Sequence, residues 1–278
     1  MSFVALASCL EIPEPDNDEE LLVRALGEAG VDARVVAWDG DPAGFDGADR
    51  VVLRSTWNYY LSLERFLSWV DAHREKIENP AHVVRWNAHK RYLGALEHEG
   101  FPIVPTAFVA RGEACDLERL AASRGWRDVV VKPAVSAASY STRRFASPGE
   151  GQDFARDLAE RVDVMVQPYL PSVDDHGERS IICIDGAVTH AVRKAPRLSG
   201  DDESVSRADV AVDEQSLAER VLARFREPLL YARVDIMRGK GGEPLLSEVE
   251  LIEPSLFLIQ CPEAAARLAE AIARRVRS

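Results

Sequence analysis

Cysteine, histidine and positive charge are all scarce in this chain. Its 278 residues include 4 cysteines and 6 histidines, and 46 acidic residues outnumber 34 basic ones, for a formal net charge of −12. Cys9, Cys115, Cys183 and Cys261 stand far apart with no C-x-x-C pair, which points to reduced thiols in a core rather than zinc ligation or a disulfide framework. The acidic balance repels nucleic acid and anionic membranes, so neither is expected as a partner, and an anionic ligand must meet a local positive cluster. Long apolar runs are missing too. The opening MSFVALASCLEIPEPDNDEE has no basic region, only a short apolar stretch, and acids directly after it. Neither a signal peptide nor a spanning helix is therefore expected, and the protein is placed in the cytoplasm. The histidines are scattered, and no Ser-His-Asp or Cys-His arrangement stands out. Hydrophobic residues at 46% are ample for a core, in one large domain or two to three small ones.

Along the chain, FVALASC, ARVVAW and RVVLR read as buried strands, with a helix across EELLVRALGEA capped by Asp18 and another across LERFLSWVDAHREK. This β-α-β order with short links implies an open, mostly parallel sheet over roughly the first 80 residues. ENPAHVVRWN reads as a linker, after which Asn87 caps a helix over AHKRYLGALEHE that carries Lys90 in its first turn. A small α+β unit follows, with strands DVVVKP and VMVQPYL. The remainder runs through strands RSIICI and VTHAVRK, a polar loop PRLSGDDESVSRAD that is either a mobile lid or disordered, a helix over 213–226, a hairpin and a closing helix from Pro262.

The hairpin YARVDIMRGKGGEPLLSEVELIEP, residues 231–254, carries the sharpest chemistry. Strand alternation puts Tyr231, Arg233, Asp235 and Met237 on one face, and groups Leu246, Glu248, Glu250 and Ile252 on the facing strand. Antiparallel pairing then sets Asp235 close to Glu248 and within diagonal reach of Glu250. Like charges about 5 Å apart at an effective dielectric near 20 repel by roughly 3 kcal/mol per pair. Protonation or a divalent cation relieves this, and an all-oxygen carboxylate set with open positions for phosphate suits Mg²⁺. Arg233 adds a fork for phosphate or a developing oxyanion. A solvated sheet face is the plain alternative.

Cations able to face those acids are Lys132 at the end of DVVVK, Lys90, and the pair Arg193 and Lys194 closing VTHAVRK. The Pro168 break after VMVQ leaves backbone near Gln167, Tyr169 and Leu170 free of ladder pairing and able to bond an adenine edge. Glu178 either accepts from ribose hydroxyls or caps a turn. RSTWNYY follows a strand, so Arg54, Ser55, Thr56, Trp57 and Asn58 belong in the crevice beyond its carboxyl end, with Arg54 able to pair a substrate carboxylate. Trp57 and Tyr59 could instead only pack the seam.

In this order the parts resemble the ATP-grasp superfamily of carboxylate–amine ligases, which includes D-alanine–D-alanine ligase and bacterial glutathione synthetase. The elements are Lys90, V-V-K-P with Lys132, Gln167 to Leu170, G-E with Glu178, R-x-D with Arg233 and Asp235, and E-x-[NE] with Glu248 and Glu250. RSTWNYY, VVKPAVSAAS, GERSIICIDGAVTHAVRK and SEVELIEPSLF are similar to the branch with the cyclo-ligase that closes O-ureido-serine in cycloserine synthesis. The resemblance implies an α/β chain of ATP-grasp fold: a Rossmann-like α/β domain over 1–86, then two α+β domains over 87–170 and 171–278 that clasp ATP. It implies that Lys90 and Lys132 bind phosphates, Gln167, Pro168, Tyr169 and Leu170 hold adenine, and Glu178 holds ribose. Asp235, Glu248 and Glu250 would hold Mg²⁺, with Arg233 steadying the acyl phosphate and Arg193 and Lys194 as further catalytic cations. The implied reaction is ATP-dependent joining of a small-molecule carboxylate to an amine, inter- or intramolecularly; a non-turning ATP-binding protein and an ATP-grasp kinase are the alternatives. Homodimers are common among such relatives. Two departures stand out: Glu250 replaces the usual Asn, and the phosphate loop AVSAASYST lacks glycine, leaving Ser136, Ser139 and Ser141 to supply hydroxyls.

Overall fold

Valine-rich and alanine-rich runs at the amino end build a sheet whose first strand, Phe3–Ser8, is buried at every position. In the computed structural model, which describes residues 3–137, 140–195 and 204–277, these runs form β1 (Phe3–Ser8), β2 (Ala33–Ala37), β3 (Ala48–Leu53) and β4 (Ile77–Glu78). They pair in the order β2-β1-β3-β4, and every pairing is parallel. Helices α1 (Glu19–Glu28) and α2 (Leu63–Ala72) supply the crossovers, as parallel pairing requires.

The second unit contains α3 (Ala81–Asn87), α4 (Tyr92–His98), β5 (Ala107–Val109), α5 (Leu117–Arg124), β6 (Val129–Pro133), β7 (Arg143–Phe145), α6 (Pro148–Ala159) and β8 (Val164–Pro168). Its sheet runs β5-β8-β6-β7, all antiparallel. The third unit holds α7 (Ser172–Asp175), β9 (Glu178–Ile184), β10 (Ala187–Lys194), β11 (Val205–Ala208), α8 (Val212–Leu222), β12 (Tyr231–Arg238), β13 (Pro244–Glu250) and α9 (Pro262–Arg277). Its five strands pair in the order β11-β10-β9-β12-β13.

Helix α9 ties the ends of the chain together. Leu268 and Ile272 share one buried cluster with Leu22 and Leu26 of α1, Leu6 of β1, and Ile182 and Val192 of the third sheet. Each fully buried leucine or isoleucine contributes roughly 1.5–3 kcal/mol, so the first and third units are cemented by one continuous core.

Several local expectations are corrected. ENPAHVVRWN is helical rather than a linker, forming α3, and Lys90 lies in the turn between α3 and α4. Asn87 ends α3 and caps nothing; its amide donates to Val249 O and accepts from Leu251 N at 2.7 and 2.8 Å. Asp18 precedes α1 but makes no side-chain cap. Its carboxylate instead accepts from Leu256 N and Leu258 N, 2.8 and 2.7 Å away. Both short polar side chains have buried backbone donors to satisfy across the fold, and that demand outweighs a local cap. Of the polar loop, residues 205–208 form β11, and 196–203, where the proposed lid would sit, fall outside the described residues.

Candidate active site

Strand pairing in the β12–β13 hairpin sets Asp235 opposite Glu248 and Arg233 opposite Glu250. Ala232, Val234 and Ile236 pack into the core behind, and Arg233, Asp235 and Met237 line a cleft of about 250 Å³ between the second and third units. One correction concerns Leu246. The register shifts after Asp235, so that Ile236 pairs with Leu246, and Leu246 joins the core cluster with Val249 and Leu251. Ser247 faces the cleft in its place. A one-residue bulge reverses the parity of everything beyond it.

The acids of the hairpin are matched by the protein's own cations. Lys90 Nζ lies 2.7 Å from Glu248 Oε1 and also donates to Ser136 O at 3.1 Å. Lys194 Nζ lies 2.9 Å from Asp235 Oδ2 and 3.1 Å from Glu178 Oε2. The Arg233 guanidinium donates to Asp235 at 3.0 Å and to Glu250. As these side chains stand, no group of three or more His, Cys, Asp or Glu among the described residues is disposed to hold a metal ion. In this arrangement ammonium and guanidinium groups offset the trio's charge. The all-oxygen donor set Asp235, Glu248 and Glu250 still fits a hard cation once phosphate oxygens draw the lysines away.

Charge is not fully balanced. Burial would raise Asp235 and Glu248, yet Arg233 and Lys194 hold the first, and Lys90 and Lys132 the second, below the usual carboxylate range. Burial pushes Glu250 up to about 8 despite Arg233, with Glu248 and Asp235 adding to the shift. Glu253, which also lines the cleft, is pushed by burial to about 7 against the opposing pull of Lys90. Burial pushes Lys132 below its ordinary value, and Glu248 offsets this only in part. No hydrogen bond or ion pair engages its ammonium among the described residues, and it lines the cleft.

These shifts fix a pH dependence. An acid whose folded pKa lies above its unfolded value gives stability that is complete below the unfolded pKa and is lost as pH rises through the folded one. Glu250 and Glu253, raised from 4.5 to about 8 and about 7, should therefore make the ligand-free protein lose melting temperature between about pH 6.5 and 8.5, above the range where the burial-lowered His89 and His190 contribute the opposite slope. Thermal melts across that range, with Glu250→Gln flattening the slope, check this; a wild-type profile that rises there would contradict it.

The remaining expected residues divide sharply. Gln167, Pro168, Tyr169, Leu170 and Glu178 all line the cleft. The ladder, however, does not stop at Pro168: β6 pairs with β8 through Val129 and Pro168, and Tyr169 N donates to Asp128 O at 2.8 Å. Leu170 N is the amide left without a backbone acceptor among the described residues. Gln167 spends its own amide on Thr106 Oγ1 at 2.9 Å.

Arg193 is not brought to the site. Adjacent strand residues point to opposite faces, and while Lys194 faces the cleft, Arg193 donates to the carbonyls of His176 and Asp175 at 3.1 and 3.0 Å. Gly177 has φ +77°, and a Cβ there would meet Lys194 O at 2.8 Å, so glycine lets Glu178 pair directly with Lys194. Lys194→Ala is expected to lower turnover at least about 100-fold, as loss of a buried charge-assisted contact does, and Arg193→Ala less than about threefold. Steady-state kinetics of the two variants separates them.

Of the RSTWN segment, Trp57 alone lines the cleft. Arg54 is buried, donating to Pro254 O at 3.1 Å and lying 3.9 Å from Asp18. Ser55 bonds Ser8 Oγ at 2.9 Å, Asn58 bonds Asp39 and Trp38 at 2.7 Å, and Thr56 is fully buried. Ser55 and Asn58 thus bond within the first unit and Arg54 ties it to the third, and none of the four lines the cleft. Ser136 lines the cleft, whereas Ser139 lies outside the described residues. Sequence reasoning missed Glu253 as a cleft residue. It follows the end of β13, where strand parity no longer says which way a side chain points.

Three such units with this acidic hairpin define the ATP-grasp ligase fold. D-Alanine–D-alanine ligase from Bacillus anthracis, solved with ATP, shares it at TM-score 0.67 and 13% identity, covering 99% of this chain and 97% of that one. The ATP-grasp ligase PsnB, solved with its minimal precursor, Mg and ADP, shares it at TM-score 0.64 and 16% identity, covering 99% and 98%. The N-terminal domain family of the D-cycloserine synthetase DcsG matches residues 4–79. The cycloserine biosynthesis protein DcsG of Streptomyces lavendulae is 33% identical over 94% of this chain and 95% of its own length. The crystal structure of D-cycloserine synthetase DcsG superposes at TM-score 0.89 with 31% identity, covering 99% of each chain. The chain belongs to the DcsG family of ATP-grasp ligases, ADP-forming enzymes that join carbon to nitrogen. Among the described residues, no helix is long and apolar enough to cross a membrane.

Proposed function

We propose that the cleft binds ATP with Mg²⁺, activates the carboxylate of a small amino-acid-like substrate, and closes it onto a nitrogen of the same molecule, as in cycloserine formation. The cleft's charge arrangement carries this reading: the ammonium of Lys132, without a hydrogen bond or ion pair among the described residues, beside two more lysines and an arginine that face buried carboxylates. Lys132 and Lys90 take the phosphates. Leu170 N and the walls around Gln167, Pro168 and Tyr169 receive adenine, and Glu178 the ribose. Asp235, Glu248 and Glu250 would hold Mg²⁺, whose charge would offset the triphosphate and polarise the transferred phosphoryl group.

In the first step a substrate carboxylate oxygen attacks the γ-phosphorus and the bond to ADP breaks. In the second, the nitrogen attacks the acyl carbon, phosphate leaves, and the nitrogen gives up its proton. Arg233, fixed between Asp235 and Glu250, is placed to steady the oxyanion of the second step. No protein nucleophile is needed. Substrates are small molecules, with no nucleic acid or membrane partner, and the reaction is cytoplasmic; a homodimer is the expected assembly.

The test is ADP release, which should require both Mg²⁺ and a cognate carboxylate, O-ureido-serine being the first to try, with mass spectrometry of the product. A stable phosphorylated product would make the protein a kinase. ATP binding with no consumption across an amino-acid panel would make it a non-turning binder.

A further inference from the structure

Glu253 has no place in the steps above, yet it is built into the cleft. Its side chain faces the cavity although the residue is only 7% exposed. The four acids on β9, β12 and β13 are each matched: Glu178 and Asp235 by Lys194, Glu248 by Lys90, and Glu250 by Arg233. Among the described residues no ion pair engages the Glu253 carboxylate, whose hydrogen bond comes from its own backbone N–H. The cations that influence it, Lys90 and Arg233, are already committed.

The main chain around Glu253 is pinned from three directions. Tyr231 Oη donates to Ile252 O at 2.8 Å, Trp57 Nε1 to Glu253 O at 3.0 Å, and Arg54 to Pro254 O at 3.1 Å. The backbone that carries the carboxylate is thus held in the cavity wall. Beside it Tyr59 lines the same wall, 4% exposed, with no hydrogen bond to its hydroxyl among the described residues. A buried, unpaired acid is costly; a ligand that brings a positive charge removes the cost. Arg233, which bonds Ser255 O at 3.3 Å two residues on, borders the same end of the cleft. A carboxylate near Arg233 and an ammonium near Glu253 describe the two ends of an amino acid.

We propose that Glu253, with Tyr59 beside it, receives the ammonium group of the carboxylate substrate, so that the enzyme takes amino acids and rejects carboxylic or hydroxy acids of the same shape. This rests on the ligase reading. The experiment measures ADP release, with ATP and Mg²⁺, for amino acids of both hands and O-ureido-serine, and for the same compounds with hydrogen or hydroxyl in place of the α-amino group. Only the amine-bearing set should support release. With the best of them, Glu253→Gln should raise KM about 10- to 100-fold, the loss of one charge-assisted contact, while kcat changes little, and Glu253→Asp should recover part of that loss. Thermal melting checks that each variant is folded. Equal turnover of the two sets, or an unchanged KM in a folded Glu253→Gln, overturns the assignment of Glu253 alone. ADP release with neither set overturns the ligase reading and this inference with it.

Discussion

Glu248→Gln is expected to lower carboxylate-dependent ADP release by about 10²- to 10³-fold, the range seen when one preorganised electrostatic group is removed from a transition state. Glu248 is the acid on which the cleft's cations converge. It lies opposite Asp235 in the hairpin, 2.7 Å from Lys90, and is held in its charged form by Lys90 and Lys132. Glutamine keeps the volume and an oxygen for Lys90 to bond, so the fold should survive while the charge that a metal–phosphate assembly needs is gone. Circular dichroism and melting should therefore differ little from wild type. Wild-type turnover by the variant would remove the hairpin from the chemistry altogether.

Lys132→Met should act in opposite directions on binding and on stability. The Lys132 ammonium meets no anion among the described residues, and burial already lowers its affinity for a proton. In the ligand-free protein it is a cost, and an apolar side chain of similar length should stabilise the fold by about 1 kcal/mol or more. In the nucleotide complex the same ammonium is worth a charge-assisted contact, so ATP affinity should fall about 10- to 100-fold. Calorimetry on ATP and melting without ligand read the two effects separately. A variant that binds ATP as tightly as wild type, or melts lower without it, would contradict the phosphate role.

What could be read in the sequence follows from which physical rules are local. Strand alternation and a short turn define a hairpin's faces and pairing, so the approach of Asp235 to Glu248 was legible from residues 231–254, up to the bulge that turns Leu246 inward. Alternation also says that Arg193 and Lys194 point apart, but only the partner strand decides which one meets Glu178. Asp18, Asn87 and Arg54 were illegible for a common reason. Each looks like a cap or a ligand-binding group, and each instead satisfies backbone groups in residues 249–258, well over a hundred positions away. A polar side chain's partner is a tertiary fact whenever a buried amide or carbonyl competes for it.

The segment after β13 has a consequence for engineering. Phe257 adopts φ +52° between two amides gripped by Asp18, a conformation costing a non-glycine residue of order 1–3 kcal/mol. Grafting the first 80 residues of a relative onto this chain would therefore leave that turn without its clasp unless Asp18, Arg54 and Trp57 travel as a set. Chimaeras that keep all three should retain substrate selectivity, whereas those that split them should lose it even with every residue of the hairpin intact.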